Sequence, residues 1–432
     1  MLFRNWYNWK TATKGYSNQS EITNVTKVKI TSNKQMKAID LFCGCGGMSS
    51  GLAMMGVEIL AGVDINKEYI QTFRTNFGDS KTYCQDLSKI DPKEFRKSFG
   101  LEKGELDFLV GGPPCQGFSK NVPRADREMF SKNNMLITTY VNFCREFEPK
   151  HIIMENVAEM SKGYDGFFTE LIIKTLTECG YYVAHFVLNA AEHGVPQRRK
   201  RSFFVANKEF MVTEKPLVTH DANKKNTSAS DQLTLSLSQK AVNVWDAIGD
   251  LPQIEMGKEC DPNSHYEQDP QNYFQALMRE NSTKILNHTP KVLKPKQLSR
   301  IKALKPGQGL KDLPPELQVK GGYSGAYGIL TEDMVCPTIT RWVFHAGSGR
   351  WGHPRLNRLI TLREAARIQS FPDNYEFTGT YTQIAGQIGN AVPPLLMKCL
   401  VDHVLTSKNR SNIFKSSSLE QPDHIDQKNL AA

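Results

Sequence analysis

The 432-residue chain lacks several features that would place it at once. None of its nine cysteines forms a Cys-x-x-Cys pair, and the count is odd, so neither a disulfide framework nor a zinc ribbon is indicated. No metal-spaced Cys/His cluster stands out, so no metal is expected. No apolar run reads as long enough to cross a bilayer. The N-terminus Met1-Leu2-Phe3-Arg4-Asn5-Trp6 lacks the apolar core of a secretory signal. The expected setting is therefore a reducing cytoplasm with no membrane partner. The G-x-G-x-x-G fingerprint and a phosphate-binding lysine are also missing, which disfavours NAD and ATP.

What is present fits a soluble globular protein of two domains or one elaborated domain. Lys and Arg outnumber Asp and Glu by 54 to 45, a surplus of +9 that permits a polyanionic partner. The stretch 281–310 carries Lys284, Lys291, Lys294, Lys296, Arg300, Lys302 and Lys305 with no acidic residue. It reads either as a solvated surface or as a phosphate-contacting one.

Residues 1–36 form a polar, aperiodic extension. From Lys37, short apolar strands alternate with helical segments. Strands are expected at Ala38–Phe42, Ile59–Asp64, Thr82–Gln85, Phe108–Val110, Ile152–Glu155, Tyr182–Leu188 and Phe203–Ala206. Helices are expected at Gly47–Met55, Lys67–Asn76, Asn133–Phe147 and Gly166–Glu178. This rhythm predicts an α/β fold, a doubly wound, mostly parallel sheet with helices on both faces. The catalytic and cofactor-binding domain would span 37–206 and be completed by about 385–406. Residues 207–384 would form a second, irregular domain, rich in Pro, Gly, Asn, Lys and Ser up to 357, and a returning helix. That helix is expected at Thr361–Ser370, capped by Thr361 with Glu364 three residues on. Another should follow Pro393-Pro394 to about Leu405, and 407–432 reads as a disordered tail.

Gly111-Gly112-Pro113-Pro114-Cys115-Gln116-Gly117-Phe118-Ser119 ends the fourth strand in a stiff turn. It presents Cys115 to a cleft as a candidate nucleophile, with a buried structural thiol as the alternative. Asp40-Leu41-Phe42-Cys43-Gly44-Cys45-Gly46-Gly47 joins the first strand to the first helix, where glycines let a ligand approach the backbone. Asp64 and Asp86 end the next two strands and suit a ribose hydroxyl and an adenine amino group, or else simple turn capping. S-adenosylmethionine fits this set better than a polyphosphate cofactor. Glu155 ends a further strand on the same edge. Strand alternation puts Gln197, Arg199 and Arg201 of Gln197-Arg198-Arg199-Lys200-Arg201 on one face.

The ordered set resembles the C5-cytosine DNA methyltransferases. The likeness also covers Glu155-Asn156-Val157, the segment Arg358–Pro372 and Gln387-Ile388-Gly389-Asn390-Ala391-Val392-Pro393-Pro394, and spans about residues 37–405. It implies a Rossmann-like catalytic domain with a β-rich target-recognition domain. It also implies methyl transfer from S-adenosyl-L-methionine to C5 of a flipped-out cytosine in duplex DNA, leaving S-adenosyl-L-homocysteine.

In that reading Cys115 adds to C6, Glu155 holds or protonates N3, and Arg199 and Arg201 orient the base. The cofactor residues would be Asp40, Phe42, Gly44, Gly46, Gly47, Asp64, Ile65, Asp86, Leu87, Pro113, Asn390 and Val392. The DNA-facing residues would be Gln116, Ser119, Lys120, Arg124, Gln197, Thr338, Thr340 and Arg341, where a strand pair is the other reading of the two threonines. Asp64 stands where Glu is more common, and Ile65 where many members carry an aromatic. A bacterial cytoplasmic monomer, serving beside a restriction endonuclease of the same site, is the implied context. The tRNA-methylating branch lacks support without its Cys-Phe-Thr motif. A silent DNA-binding relative is disfavoured by the intact Cys115, Glu155, Arg199 and Arg201.

Overall fold

A computed structural model of the chain describes residues 35–114, 132–161, 166–222, 239–261, 265–319, 323 and 325–417. Seven strands form one sheet: β1 (Lys37–Leu41), β2 (Glu58–Asp64), β3 (Lys81–Cys84), β4 (Phe108–Gly111), β5 (His151–Val157), β6 (Tyr182–Asn189) and β7 (Lys200–Asn207). Their order is β3-β2-β1-β4-β5-β7-β6. Every pairing is parallel except those of β7, which runs antiparallel to both neighbours. All seven expected strands are present, most of them extended by a residue or more.

Alternation along the strands divides the core between two faces. Ala38, Phe108 and Val110 point into one apolar cluster with Met48 and Leu52 of α1 (Gly47–Ala53) and Ile70 and Phe73 of α2 (Lys67–Asn76). Ile39, Leu41 and Leu109 point into the other. There they meet Phe95 of α3 (Pro92–Lys97), Phe143 of α4 (Lys132–Phe147) and Ile172 of α5 (Phe167–Glu178). The strand order reverses between β1 and β4, and open α/β sheets bind ligands at such a point, beyond the carboxyl ends of the strands.

The region after β7 packs its apolar residues, among them Val244, Phe274, Ile301 and Ile329, into the same cluster as α1 and α2. Its described residues are irregular, as expected, and are not β-rich. Its described residues hold short helices, three isolated bridges and one pair of two-residue strands, His220–Asp221 and Gln239–Lys240. Frequent Pro and Gly leave no stretch long enough for a ladder. The Leu362–Ile368 helix begins where Thr361 and Glu364 complete a reciprocal capping box. The final helix, Pro394–Ser417, continues well past the expected start of the tail at 407.

The span Tyr381–Ser407 has the length and apolarity of a membrane crossing, contrary to the sequence reading, but 67% of its apolar window is buried inside the protein. It comprises two helices, Tyr381–Asn390 and the final one, and the second seats against α1. A Cβ on Gly51 would lie 2.6 Å from both Met397 Cβ and the Pro394 carbonyl, so a glycine is needed for this approach.

Candidate active site

The loops after β1, β2, β3, β4 and β5 open on one sheet edge, and the inversion of β7 brings its start to that edge as well. Register pairs Val157 with Arg201 and Glu155 with Phe203. From the neighbouring strand, Arg201 reaches back and its Nε donates to Glu155 Oε1 at 2.9 Å. The Glu155 side chain is 14% exposed. Burial raises its proton affinity above the usual carboxylate value, against the opposing pull of Arg201 and Arg199. The carboxyl is thus held near a cation yet inclined to carry a proton.

The turn after β4 is fixed to the same place. Asn156 Nδ2 donates to the Pro113 carbonyl at 3.1 Å, and its Oδ1 accepts from Val157 N–H at 2.8 Å. A Cβ on Gly112 would lie 3.0 Å from Glu155 Oε2, and one on Gly111 would overlap the Leu41 carbonyl at 2.2 Å. The Tyr140 hydroxyl donates to the Leu109 carbonyl at 3.0 Å and braces the strand from the helix side. These contacts hold the turn from Gly111 to Pro114 beside the Glu155 carboxyl. Cys115, Gln116, Ser119, Lys120 and Arg124 follow that turn and lie outside the described residues.

The expected cofactor residues surround the switch point, with unequal roles. Asp40 is buried; its Oδ2 accepts from Ser49 Oγ at 2.6 Å and its Oδ1 has no partner. Burial pushes its carboxyl up to about 7. Phe42 and Gly44 take left-handed backbone, φ 62° and 55°, and the space above Gly44 Cα is open but for the Tyr69 ring at 3.8 Å. Gly46 is also left-handed, φ 92°, and a Cβ there would strike the Phe77 ring at 2.6 Å; Gly47 is a glycine for packing alone, since its Cβ would meet the Val392 carbonyl at 2.4 Å. Val392 is buried against the loop, and Asn390 Nδ2 donates to the Tyr69 hydroxyl at 3.1 Å, so the last segment does return to the cofactor loop.

Asp64 Oδ2 accepts from Gly44 N–H at 2.9 Å and Oδ1 from Asn66 N–H at 2.8 Å. The Ile65 backbone also acts on this carboxylate, and four lone-pair sites leave room for a hydroxyl. Ile65 beside it is 71% exposed, an apolar plate at the loop tip. Asp86 caps the turn through Oδ1 alone, accepting from Ser88 N–H and Oγ. Leu87 is buried in the core, so only its backbone can face a ligand. An orphaned buried carboxylate oxygen, an open glycine cradle, two strand-end carboxylates and an exposed apolar plate together suit an adenosyl group with an amino-acid tail.

Three of the expected site residues are engaged within the protein. Gln197 is completely buried: its Nε2 donates to Gln369 Oε1 at 2.5 Å and its Oε1 accepts from Ile339 N–H at 2.7 Å, which leaves nothing for DNA. Arg199 is 1% exposed and spends Nη1 and Nη2 on the carbonyls of Ile339 (3.0 Å) and Gly389 (2.9 Å). It ties three segments together, while its buried Nε has no partner among the described residues and its charge acts on Glu155. The Thr338 hydroxyl donates to the Arg198 carbonyl at 2.6 Å, so it has no proton left for a phosphate. Thr340 Oγ1, by contrast, accepts from Trp342 N–H at 3.3 Å and keeps its own donor; Arg341 is exposed.

Within the basic run, Arg300 is buried on the Leu317 carbonyl and the Tyr327 hydroxyl. Lys291 lies over the Phe344 ring at 4.3 Å. Lys284, Lys294, Lys296, Lys302 and Lys305 remain exposed. Among the described residues no group of three or more His, Cys, Asp or Glu could hold a metal ion.

The sequence reading missed Tyr140, and it quoted Gly112 and Asn156 within motifs without assigning the contacts by which they fix the turn. It also missed the buried charge network of the second region. There Arg358 grips Glu364 with two bonds of 2.8 Å, and Arg367 bridges Asp250 and Asp373.

Comparison with known proteins adds an independent line. Residues 36–405 match the family model described as C-5 cytosine-specific DNA methylase. The Type II methyltransferase M.AgeI of Thalassovita gelatinovora is 30% identical, over 85% of this chain and 99% of its own length. M.DdeI of Desulfomicrobium norvegicum is 31% identical, over 89% of this chain and 92% of its own. Among solved structures, a DNA modification methyltransferase encoded within an E. coli prophage superposes with a TM-score of 0.66. It is 23% identical, with 87% of this chain and all of the other covered, a likeness of fold.

Proposed function

The chain belongs to the C-5 cytosine-specific DNA methylase family and is a DNA (cytosine-5) methyltransferase, and from that premise we propose how its residues divide the work. The observation that carries the proposal is the Glu155–Arg201 pair, set against Gly112 three residues before Cys115.

Cytosine C5 is too weak a nucleophile to take a methyl group unaided. The Cys115 thiolate adds to C6, forming an S–C6 bond and pushing an electron pair toward C5 and the ring. Glu155, inclined to hold a proton, supplies it at N3 as negative charge builds there. Arg201, fixed on Glu155 Oε1, keeps that carboxyl in place and offers its remaining N–H groups to the base oxygen O2. Asp40, Gly44, Asp64, Ile65 and Asp86 would hold S-adenosylmethionine, which would offer its sulfonium methyl as the electrophile for C5. Loss of the C5 proton to solvent, return of the N3 proton to Glu155 and cleavage of S–C6 would then free the Cys115 thiolate and 5-methylcytosine, with S-adenosylhomocysteine as the other product. Arg199 acts at one remove, holding the Ile339 and Gly389 carbonyls.

Cytosine C6 is inaccessible within a stacked duplex, so the base must swing out at a cost of a few kcal/mol. The exposed lysines of 284–305, with Thr340 and Arg341, would offset that cost through phosphates. Residues 207–357 would then select the sequence. The similar Type II enzymes suggest a role beside a restriction endonuclease in a bacterial cytoplasm.

Cys115→Ser tests the reading. The variant should lose methyl transfer to duplex DNA and fail to form a covalent complex with 5-fluorocytosine DNA, while S-adenosylhomocysteine still raises its melting temperature. Retained turnover would overturn the covalent route.

A further inference from the structure

The segment Pro337–Arg341 lies across the active edge, and its mounting is rigid. Ile339 is held at both ends, its N–H by Gln197 Oε1 and its carbonyl by Arg199 Nη1. Thr340 and Arg341 press on Gly389, where a Cβ would lie 2.3 Å from Arg341 N. The next residue, Trp342, is locked through its backbone. Its N–H donates to Thr340 Oγ1, and its carbonyl accepts from Ser348 Oγ at 2.6 Å and His345 N–H at 2.9 Å. The side chain is nevertheless 48% exposed. The Arg341 guanidinium sits 4.8 Å from its ring centroid, and Phe344 supports it at 5.9 Å.

A tryptophan on a fixed backbone, half in solvent and paired with an exposed arginine, is a poor core residue and a good stacking platform. It is three residues beyond Ile339, hence within about 10 Å of a carbonyl that Arg199 holds. Arg199 is in turn two residues from Arg201. About three nucleotide steps at 3.4 Å cover the same distance. Extrusion of one base leaves its neighbours unstacked, and apolar side chains commonly cover such exposed base faces.

We propose that Trp342 is a DNA contact of this enzyme, its indole stacking on an unpaired or unstacked base beside the flipped cytosine while Arg341 takes the adjacent phosphate. This rests on the base-flipping reading above. The platform recognises any base face, so it contributes to holding the distorted duplex rather than to reading its sequence.

Full-length protein with bound S-adenosylhomocysteine, titrated with a cognate duplex, gives the test. Trp342→Ala should weaken duplex binding and raise the KM for DNA about 5- to 150-fold. The KM for S-adenosylmethionine and the melting temperature should stay unchanged, and Trp342→Phe should recover most of the loss. Duplex should quench tryptophan emission in the wild type, and that quench should shrink in Trp342→Phe; this second readout decides if the alanine variant folds poorly. A Trp342→Ala protein with DNA binding within twofold of wild type, or an undiminished quench in Trp342→Phe, overturns the stacking role while leaving the methyltransferase reading intact. A wild type that methylates duplex without displacing the base, shown by unchanged 2-aminopurine fluorescence at the target position, overturns both this inference and base flipping.

Discussion

Two buried glutamate–arginine pairs in this molecule behave in opposite ways. Glu364 receives both Arg358 Nη atoms at 2.8 Å and the Thr361 N–H at 2.7 Å, with His353 close by. Those charges and bonds outweigh its burial and hold the carboxyl well below the usual range. Glu155 has Arg201 Nε at 2.9 Å, and burial wins, so its proton affinity rises. The first is a saturated ion pair that fixes the start of a helix. The second is an under-satisfied one at the mouth of a cleft. The number of donors converging on the carboxylate, not the presence of an arginine, separates structure from chemistry.

The sharpest way to break this contrast is to remove the same charge at both places. Glu155→Gln should lower kcat by about 10²–10⁴-fold, the usual worth of a positioned general acid, with little change in melting temperature, since Arg201 keeps access to water. Glu364→Gln should do the reverse. Arg358 would be left uncompensated in the interior at a cost of about 3–5 kcal/mol, while the folded fraction keeps its kcat. Thermal melts and steady-state methylation of one duplex check both. A Glu155→Gln protein that turns over normally would remove the proton-donor role.

The sequence made one of these pairs legible and hid the other. Glu155 ends an apolar strand, so its place on the active edge could be read from the pattern, as could the glycine loop, Asp64, Asp86 and all seven strands. The partner set of Glu364 could be read only in part: the capping box from Thr361 was visible, but not the Arg358 fork folded back upon it. The burial of Gln197 and Arg199 was illegible because it depends on Ile339 and Gly389, which are 142 and 190 residues distant. Periodicity reports which face a residue takes, not what will later cover that face. The region after β7 has little periodicity at all, so its residues gave only an irregular reading; the β-rich expectation came from the resemblance, and the described residues do not show it.

Asp40 offers an intermediate case. It is as buried as Glu364 but has one hydroxyl donor, from Ser49, and its carboxyl is pushed up to about 7 from 3.8. A folded value above the unfolded one means the folded state binds the extra proton. The favourable contribution is complete below about pH 3.8 and is lost as pH rises to about 7. At about 1.4 kcal/mol for each pH unit, the loss approaches about 4 kcal/mol. Asp40→Asn, a neutral mimic of the protonated acid, should therefore melt above wild type at pH 8 and close to it at pH 4, in cofactor-free protein. Equal melting temperatures at pH 8 would show that the carboxylate is better solvated than its surroundings indicate.

The smallest effect should come from the glycine that touches the reactive pair. A Cβ at Gly112 would meet Glu155 Oε2 at 3.0 Å, tight enough that the carboxylate must give by a few tenths of an ångström. Gly112→Ala fits the backbone region available to any residue, so the fold should tolerate it. The displaced carboxylate would hold Arg201 less well and present its proton less squarely to N3. A loss in kcat of up to about tenfold, or about 1.4 kcal/mol, is expected, with KM for the cofactor unchanged. The pH at which kcat declines should also move, because the methyl group thickens the apolar cover over Glu155 and raises its proton affinity further. If kcat falls without any movement of that pH profile, the glycine merely shapes the turn before Cys115, and the poise of Glu155 is set by its burial against Arg201 and Arg199 without help from position 112.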